Sequence, residues 1–337
     1  MATNDTWLEL VQEQTIDPNL PIIDPHHHLW DFREGTVQPR YFLDDFLADA
    51  NSGHNIVASV FIECGTMFRD SGPADHAMIG ETEFANGQAA MAASGAYGTT
   101  RVAAGIVGAA YLTSGAQVAE VLDAQIAAAN GRLRGIRQGA SWDANANVPN
   151  HRTEPMPQLY TDAKFREGFA QLASRSLTFE AWCYHPQIPL LTDLARAFPD
   201  VTIILDHFGG PLGVGAYAGR EDEVFTAWQQ SIPPLAQCPN VRAKLGGLAM
   251  EVNGFEWHKQ PTPPTSALFM DAQARYFDYT LELFGVERCM FESNFPVDKI
   301  SVSYHTVWNA FKRLTANYSD YERARLFHDT AAEVYRL

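Results

Sequence analysis

Three consecutive histidines, His26-His27-His28, follow an apolar run that includes Ile22 and Ile23 and precede Leu29-Trp30-Asp31. Side chains at i and i+2 of a strand share a face. His26 and His28 are therefore expected to converge at the strand's C-terminal end, with His27 pointing away. Two neutral imidazoles aimed at one point suit a divalent ion or a substrate oxygen near neutral pH. Other ionisable or amide side chains close later apolar runs: Glu63, Arg137, His185, His207, Lys244, and the block Glu292-Ser293-Asn294-Phe295-Pro296-Val297-Asp298. The planar fork of Arg137 suits a carboxylate or carbonyl. Blander readings also stand: Asp206 with His207 as a bonded pair closing a strand, and Glu63 with Lys244 as a buried ion pair. His54, His76, His258, His305 and His328 fall in helices or loops and are read as incidental.

Those residues need a frame that brings them to one place. Strand-length apolar runs cover residues 22–25, 56–63, 101–107, 133–138, 177–184, 201–206, 241–245 and 288–291. Helical patterns lie between or after them, at 78–94, 117–130, 163–175, 190–197, 223–236, 267–284, 301–315 and 321–335. The strands are mostly continuous apolar runs, as a sheet covered on both faces requires. Eight such units predict a (β/α)8 TIM barrel over residues 1–337 as one domain, with residues 1–20 as an N-terminal extension and helices closing the C-terminus. An open doubly wound sheet is the competitor, but no GxGxxG follows the first strand. Long loops at 139–159 and 249–266 follow the fourth and seventh strands, on the face where barrel active sites form. They are read as shaping specificity.

Composition narrows the function. With 337 residues, 46% hydrophobic and 19% charged, the chain reads as soluble and globular. Its formal charge of -16, without clustered Lys and Arg, argues against nucleic acid. No apolar run is long enough to span a bilayer. Met1-Ala2-Thr3-Asn4-Asp5-Thr6 has no basic-then-apolar leader, so a cytoplasmic location is expected. Cys64, Cys183, Cys238 and Cys289 form no C-x-x-C pair and are expected as buried reduced thiols. The expected partner is a small-molecule substrate, with self-association open.

The His-x-His after strand one, the His-Pro at His185-Pro186, the run His207-Phe208-Gly209-Gly210-Pro211 and the Ser293-Asn294-Phe295-Pro296-Val297 block resemble the amidohydrolase superfamily. The likeness is closest to its amidohydrolase-related branch, the sugar-lactone and pyrone-dicarboxylate lactonases. It extends from about Pro21 to the C-terminus. The resemblance implies metal binding by His26, His28 and His185, and a proton-transfer or polarising role for His207. It also implies an Asp at the position of Asn294, as metal ligand and base. An amide can serve as neither, so the base is sought in Asp298, Glu63 or a histidine. A zinc-like ion and metal-free catalysis both stay open.

The expected function is hydrolysis of a lactone or related cyclic ester. Arg137 and Lys244 are expected to hold the substrate, and Trp30, Trp142, Phe208 and Phe295 to form apolar walls. Amide or enamide hydrolysis, decarboxylation within the superfamily, and a non-catalytic binding barrel are the alternatives.

Overall fold

In β1 (Pro21–His27) the register against β2 (Asn55–Ile62) shifts between Asp24 and His27, and this bulge sets up everything at the mouth. Ile23 packs inward with Met290 and Tyr335, while Asp24 turns outward to Ser293 and Tyr304. An unbroken strand would then send His26 outward. The extra residue restores His26 to the interior and sends His27 out, where its ring stacks on Phe46 at 4.3 Å and bonds Ser59 Oγ at 3.0 Å.

The structure is a computed structural model that describes residues 4–337; the first three residues of the expected extension lie outside it. The remaining strands are β3 (Arg101–Ala109), β4 (Leu133–Arg137), β5 (Thr178–Ala181), β6 (Ile203–Leu205), β7 (Val241–Leu245) and β8 (Cys289–Phe291). All neighbours pair in parallel in the order β1 to β8. Closure comes just beyond β8, where His28 N donates to Phe295 O at 2.7 Å and Asn294 N to His26 O at 3.0 Å. The element series is the (β/α)8 barrel expected from the alternation of strands and helices.

The helices are α1 (Asp5–Leu8), α2 (Leu43–Ala50), α3 (Ile79–Ala93), α4 (Val118–Ala128), α5 (Ala163–Phe169), α6 (Ile188–Ala197), α7 (Glu221–Ala236), α8 (Ser266–Phe284), α9 (Tyr304–Leu314), α10 (Asp320–Ala324) and α11 (Thr330–Tyr335). Helix α2 was not anticipated, although Leu43, Phe46, Leu47 and Ala50 supply an apolar stripe at helical spacing. The expected terminal helix is interrupted by a π-helical turn at Arg325–Asp329. One core layer lies between sheet and helices. A second joins Ile23, Ala58, Val60, Ile62, Val107 and Met290 to Ala331 and Tyr335, so α11 packs its last aromatic ring among the strands. The segment before β1 is tied to α8 and α9: Glu13 accepts from Ser266 Oγ and from Asn309 Nδ2, the latter at 3.1 Å. All four cysteines are buried free thiols, and no helix among the described residues is long and apolar enough to cross a membrane.

Candidate active site

The site begins with His26, His28 and His207, which are between 0 and 3% exposed. Ring centroids of His26 and His28 lie 5.0 Å apart, and those of His26 and His207 4.5 Å apart. The Nδ1 of His28 is 2.8 Å from Ile62 O; a carbonyl only accepts, so Nδ1 carries the proton and Nε2 keeps its lone pair. Burial, then neighbouring His26 and Arg137, hold His28 well below the usual imidazole range, in its neutral form.

His207 arrives on an unusual turn. After β6 the backbone passes through His207 (φ 52°), Phe208 (φ 58°), Gly209 (φ 71°) and Gly210 (φ 55°), all left-handed. Two non-glycine residues in that region cost energy that the surroundings must offset. Glu292 Oε1 holds the imidazole, 2.7 Å from Nδ1 and 3.3 Å from the His207 backbone N. Gly247 packs so closely on the ring that a Cβ there would overlap His207 Nδ1. Burial pushes the Glu292 carboxyl up, but His207 and His26 overcome this and hold it at about 2. An ionised Glu292 only accepts, so it keeps a proton on His207 Nδ1.

Beneath the histidines lies a charged network. Lys244 Nζ donates to Glu180 Oε2 at 2.8 Å and sits 3.2 Å from His26 Nδ1 and 3.5 Å from Asp206 Oδ1. Tyr335 donates to Glu180 Oε1 at 2.6 Å, joining the network to the apolar packing of α11. Arg137 Nε donates to Glu63 Oε1 at 2.7 Å, and Arg152 of the 139–159 loop donates to the other Glu63 oxygen. Glu63 and Lys244 thus pair with other partners rather than with each other. Burial raises Glu63, but Arg152 and Arg137 bring it down to about 2.

Asn294, at the end of β8, donates from Nδ2 to Asp298 Oδ1 at 2.7 Å, and Ala249 N reaches Asp298 Oδ2 at 3.1 Å. Burial pushes this carboxyl up to about 7, against the lowering influence of His207.

Donors suited to a metal gather in His26, Asp206 and His207, whose ligand atoms all lie within 4.8 Å of one another. Neither carboxylate oxygen of Asp206 has a hydrogen-bond partner despite complete burial, and one oxygen of Glu292 is also unpaired. Lys244 Nζ and Arg137 Nη1 each lie 3.5 Å from Asp206 without a hydrogen bond, and two imidazoles with a carboxylate whose oxygens are not hydrogen-bonded fit a zinc-like ion. His28 and His185 fall outside this group. His185 Nδ1 is 3.4 Å from Leu212 N, and its ring packs on Tyr217.

Of the expected walls, Trp30 lines a mouth-side cavity and Trp142 another, beside Arg152. Phe208 packs instead on Phe277 of α8, and Phe295 on Tyr304 of α9. A cavity of about 200 Å³ opens over Glu63 and Arg137 and is lined by Gly65, Tyr111 and Arg152. Sequence reasoning gave no role to Glu292, Glu180 or Tyr335. The signal available for Glu292 was its place at the end of the eighth strand.

The family model described as Amidohydrolase matches residues 23–337. An uncharacterized protein of Sinorhizobium fredii, y4mH, is 34% identical over 337 residues, covering 95% of this chain and 99% of the relative. An L-fucono-1,5-lactonase of Burkholderia multivorans is 27% identical over 207 residues, 61% of this chain and 64% of the relative. The crystal structure of an amidohydrolase from Burkholderia multivorans with bound zinc has a TM-score of 0.71 at 24% identity, over 94% of this chain and 99% of that one. The family match starts inside β1 and takes in the later strands with every polar group of the site. On that match, the chain belongs to the amidohydrolase family of hydrolases.

Proposed function

We propose that this hydrolase opens a lactone or related activated cyclic ester by water attack at the barrel mouth. The observation that carries the reading is the return of Asp298 to the end of β8. Asn294 removes an anionic group from the strand end, yet its amide grips a carboxyl four residues later. That carboxyl, with both oxygens fixed and a value of about 7, exchanges protons near neutrality. In the addition step a water O–H bond breaks, Asp298 takes the proton, the oxygen bonds to the lactone carbonyl carbon, and the C=O π pair moves onto the carbonyl oxygen. In the collapse that pair re-forms the C=O bond, the ring C–O bond breaks, and Asp298 returns the proton to the departing oxygen.

Glu292 keeps a proton on His207 Nδ1 and holds the ring in one orientation, which leaves Nε2 as the nitrogen that would ligate an ion. Glu63 is bound to two guanidiniums, and a carboxylate at about 2 is too weak a base for water. In this reading Arg137 and Trp30, each lining a cavity, position the substrate. Lys244, buried beneath His26, balances the surrounding carboxylates instead. A divalent ion held by His26, Asp206 and His207, zinc first, supplies Lewis-acid polarisation of the carbonyl when bound. The L-fucono-1,5-lactonase relative supports the ester over the amide bond.

The test pairs lactones with lactams of the same ring size and follows acid release from the one and amine release from the other. Turnover of lactones alone is expected. Turnover confined to the lactams would overturn the assignment.

A further inference from the structure

A second mouth-side cavity, of about 300 Å³, lies between the loops that follow β1, β7 and β8. Its apolar wall is Trp30, Val37, Met250, Pro296, Val297 and Ile300. Several of the polar groups beside them are engaged within the protein. Trp30 Nε1 donates to Gln38 O at 2.7 Å, Thr36 Oγ1 to Arg33 O at 2.9 Å, and Arg33 Nη2 to Cys64 O. Glu251 lies 3.5 Å from His258. A hydroxylated ring placed against the apolar wall would exchange its bonds to water for carbon surface, an unfavourable trade.

Three of the lining residues sit next to the reacting groups. Trp30 stacks 6.1 Å from His28, Met250 follows the Ala249 amide that holds Asp298, and Val297 precedes Asp298 in the chain. The Arg33 guanidinium lies 4.1 Å above Trp30 and reaches the Cys64 carbonyl, next to Gly65 of the Arg137–Arg152 cavity. One cavity is therefore rich in guanidinium and the other in hydrocarbon, with Arg33 between them.

We propose that the 300 Å³ cavity seats an apolar substituent of the substrate, so that the substrate class is an alkyl- or aryl-substituted lactone rather than a sugar lactone. This rests on the lactone reading above, which the experiment keeps separable.

Wild-type protein is assayed on γ-butyrolactone, γ-valerolactone, γ-heptalactone and γ-nonalactone, and titrated calorimetrically with 2-hexyltetrahydrofuran, which has a tail but no ester. We expect kcat/KM to rise about fourfold per methylene, and the ether to bind. Val37→Trp, which fills the cavity, flattens the dependence on tail length and removes ether binding. Val37→Ser, which adds no bulk, weakens both if the tryptophan variant does not fold.

Lactone turnover independent of tail length overturns the substituent site and leaves the hydrolase reading intact. No lactone turnover, with ether binding lost in Val37→Trp, overturns the reading and leaves the site. Neither turnover nor binding removes both.

Discussion

Glu292→Gln keeps the shape of the residue that orients His207 and removes its charge. In the wild type one carboxylate oxygen is 2.7 Å from His207 Nδ1 and the other 2.8 Å from His26 Nδ1, out of line for a hydrogen bond. Burial opposes ionisation, but the two imidazoles take the carboxyl from 4.5 to about 2. That change corresponds to ~3 kcal/mol of stability. Because the folded value lies below the unfolded one, the contribution is complete above pH 4.5 and fades as pH falls toward 2. The variant should therefore melt ~5 °C lower at neutral pH, and the gap should close in acid. Its amide offers Nδ1 a donor as readily as an acceptor, so His207 loses its fixed tautomer. Lactone turnover should fall by ~10³-fold or more, as when the carboxylate of a His–carboxylate pair is neutralised. Thermal melts across pH and proton-release kinetics measure the two effects. A variant within tenfold of wild-type turnover, with an unchanged melt, would refute the role given to this pair.

Asp298→Asn should abolish turnover and, near neutrality and above, raise thermal stability. Its carboxyl is pushed up by burial, so ionisation as pH rises through about 7 works against the fold; thermal melts at acidic and alkaline pH read the sign, and a variant destabilised equally at both contradicts it. Asn294→Asp sets a second carboxylate against Asp298, and divalent metal content by elemental analysis should rise. Unchanged content would remove the metal site from the account. Gly247→Ala places a methyl group against His207 and forces a side chain into a backbone with φ 72°, so turnover should fall at least tenfold and stability by ~1–3 kcal/mol; a variant that behaves as wild type contradicts the packing on His207.

The barrel was legible because its strands are buried on both faces and read as apolar runs. Where those runs outlast the hydrogen-bonded ladder, the expectation was too long. Residues 177–184 predicted a strand that pairs only at Thr178–Ala181, since apolarity marks burial under helices as well as pairing. The convergence of His26 and His28 followed from strand alternation, but the bulge at Asp24–His27 that permits it did not. Cross-barrel partners were the least visible. Glu180 and Lys244 are 64 residues apart, and only closure of the sheet makes them neighbours. The His-Pro at His185 correctly marks a strand mouth, yet a local 3-10 turn at His185–Gln187 and the Leu212 amide engage that ring away from the His26 group. Asp298 was legible as a candidate because Pro296 turns the chain. Its grip by Asn294 required coordinates.

The most direct test of the account is proton release from a lactone panel by wild-type protein and by His207→Ala, each checked for an intact fold by circular dichroism. The account predicts one acid equivalent per lactone opened by the wild type and none above background from the variant. Equal turnover by the two proteins would contradict it.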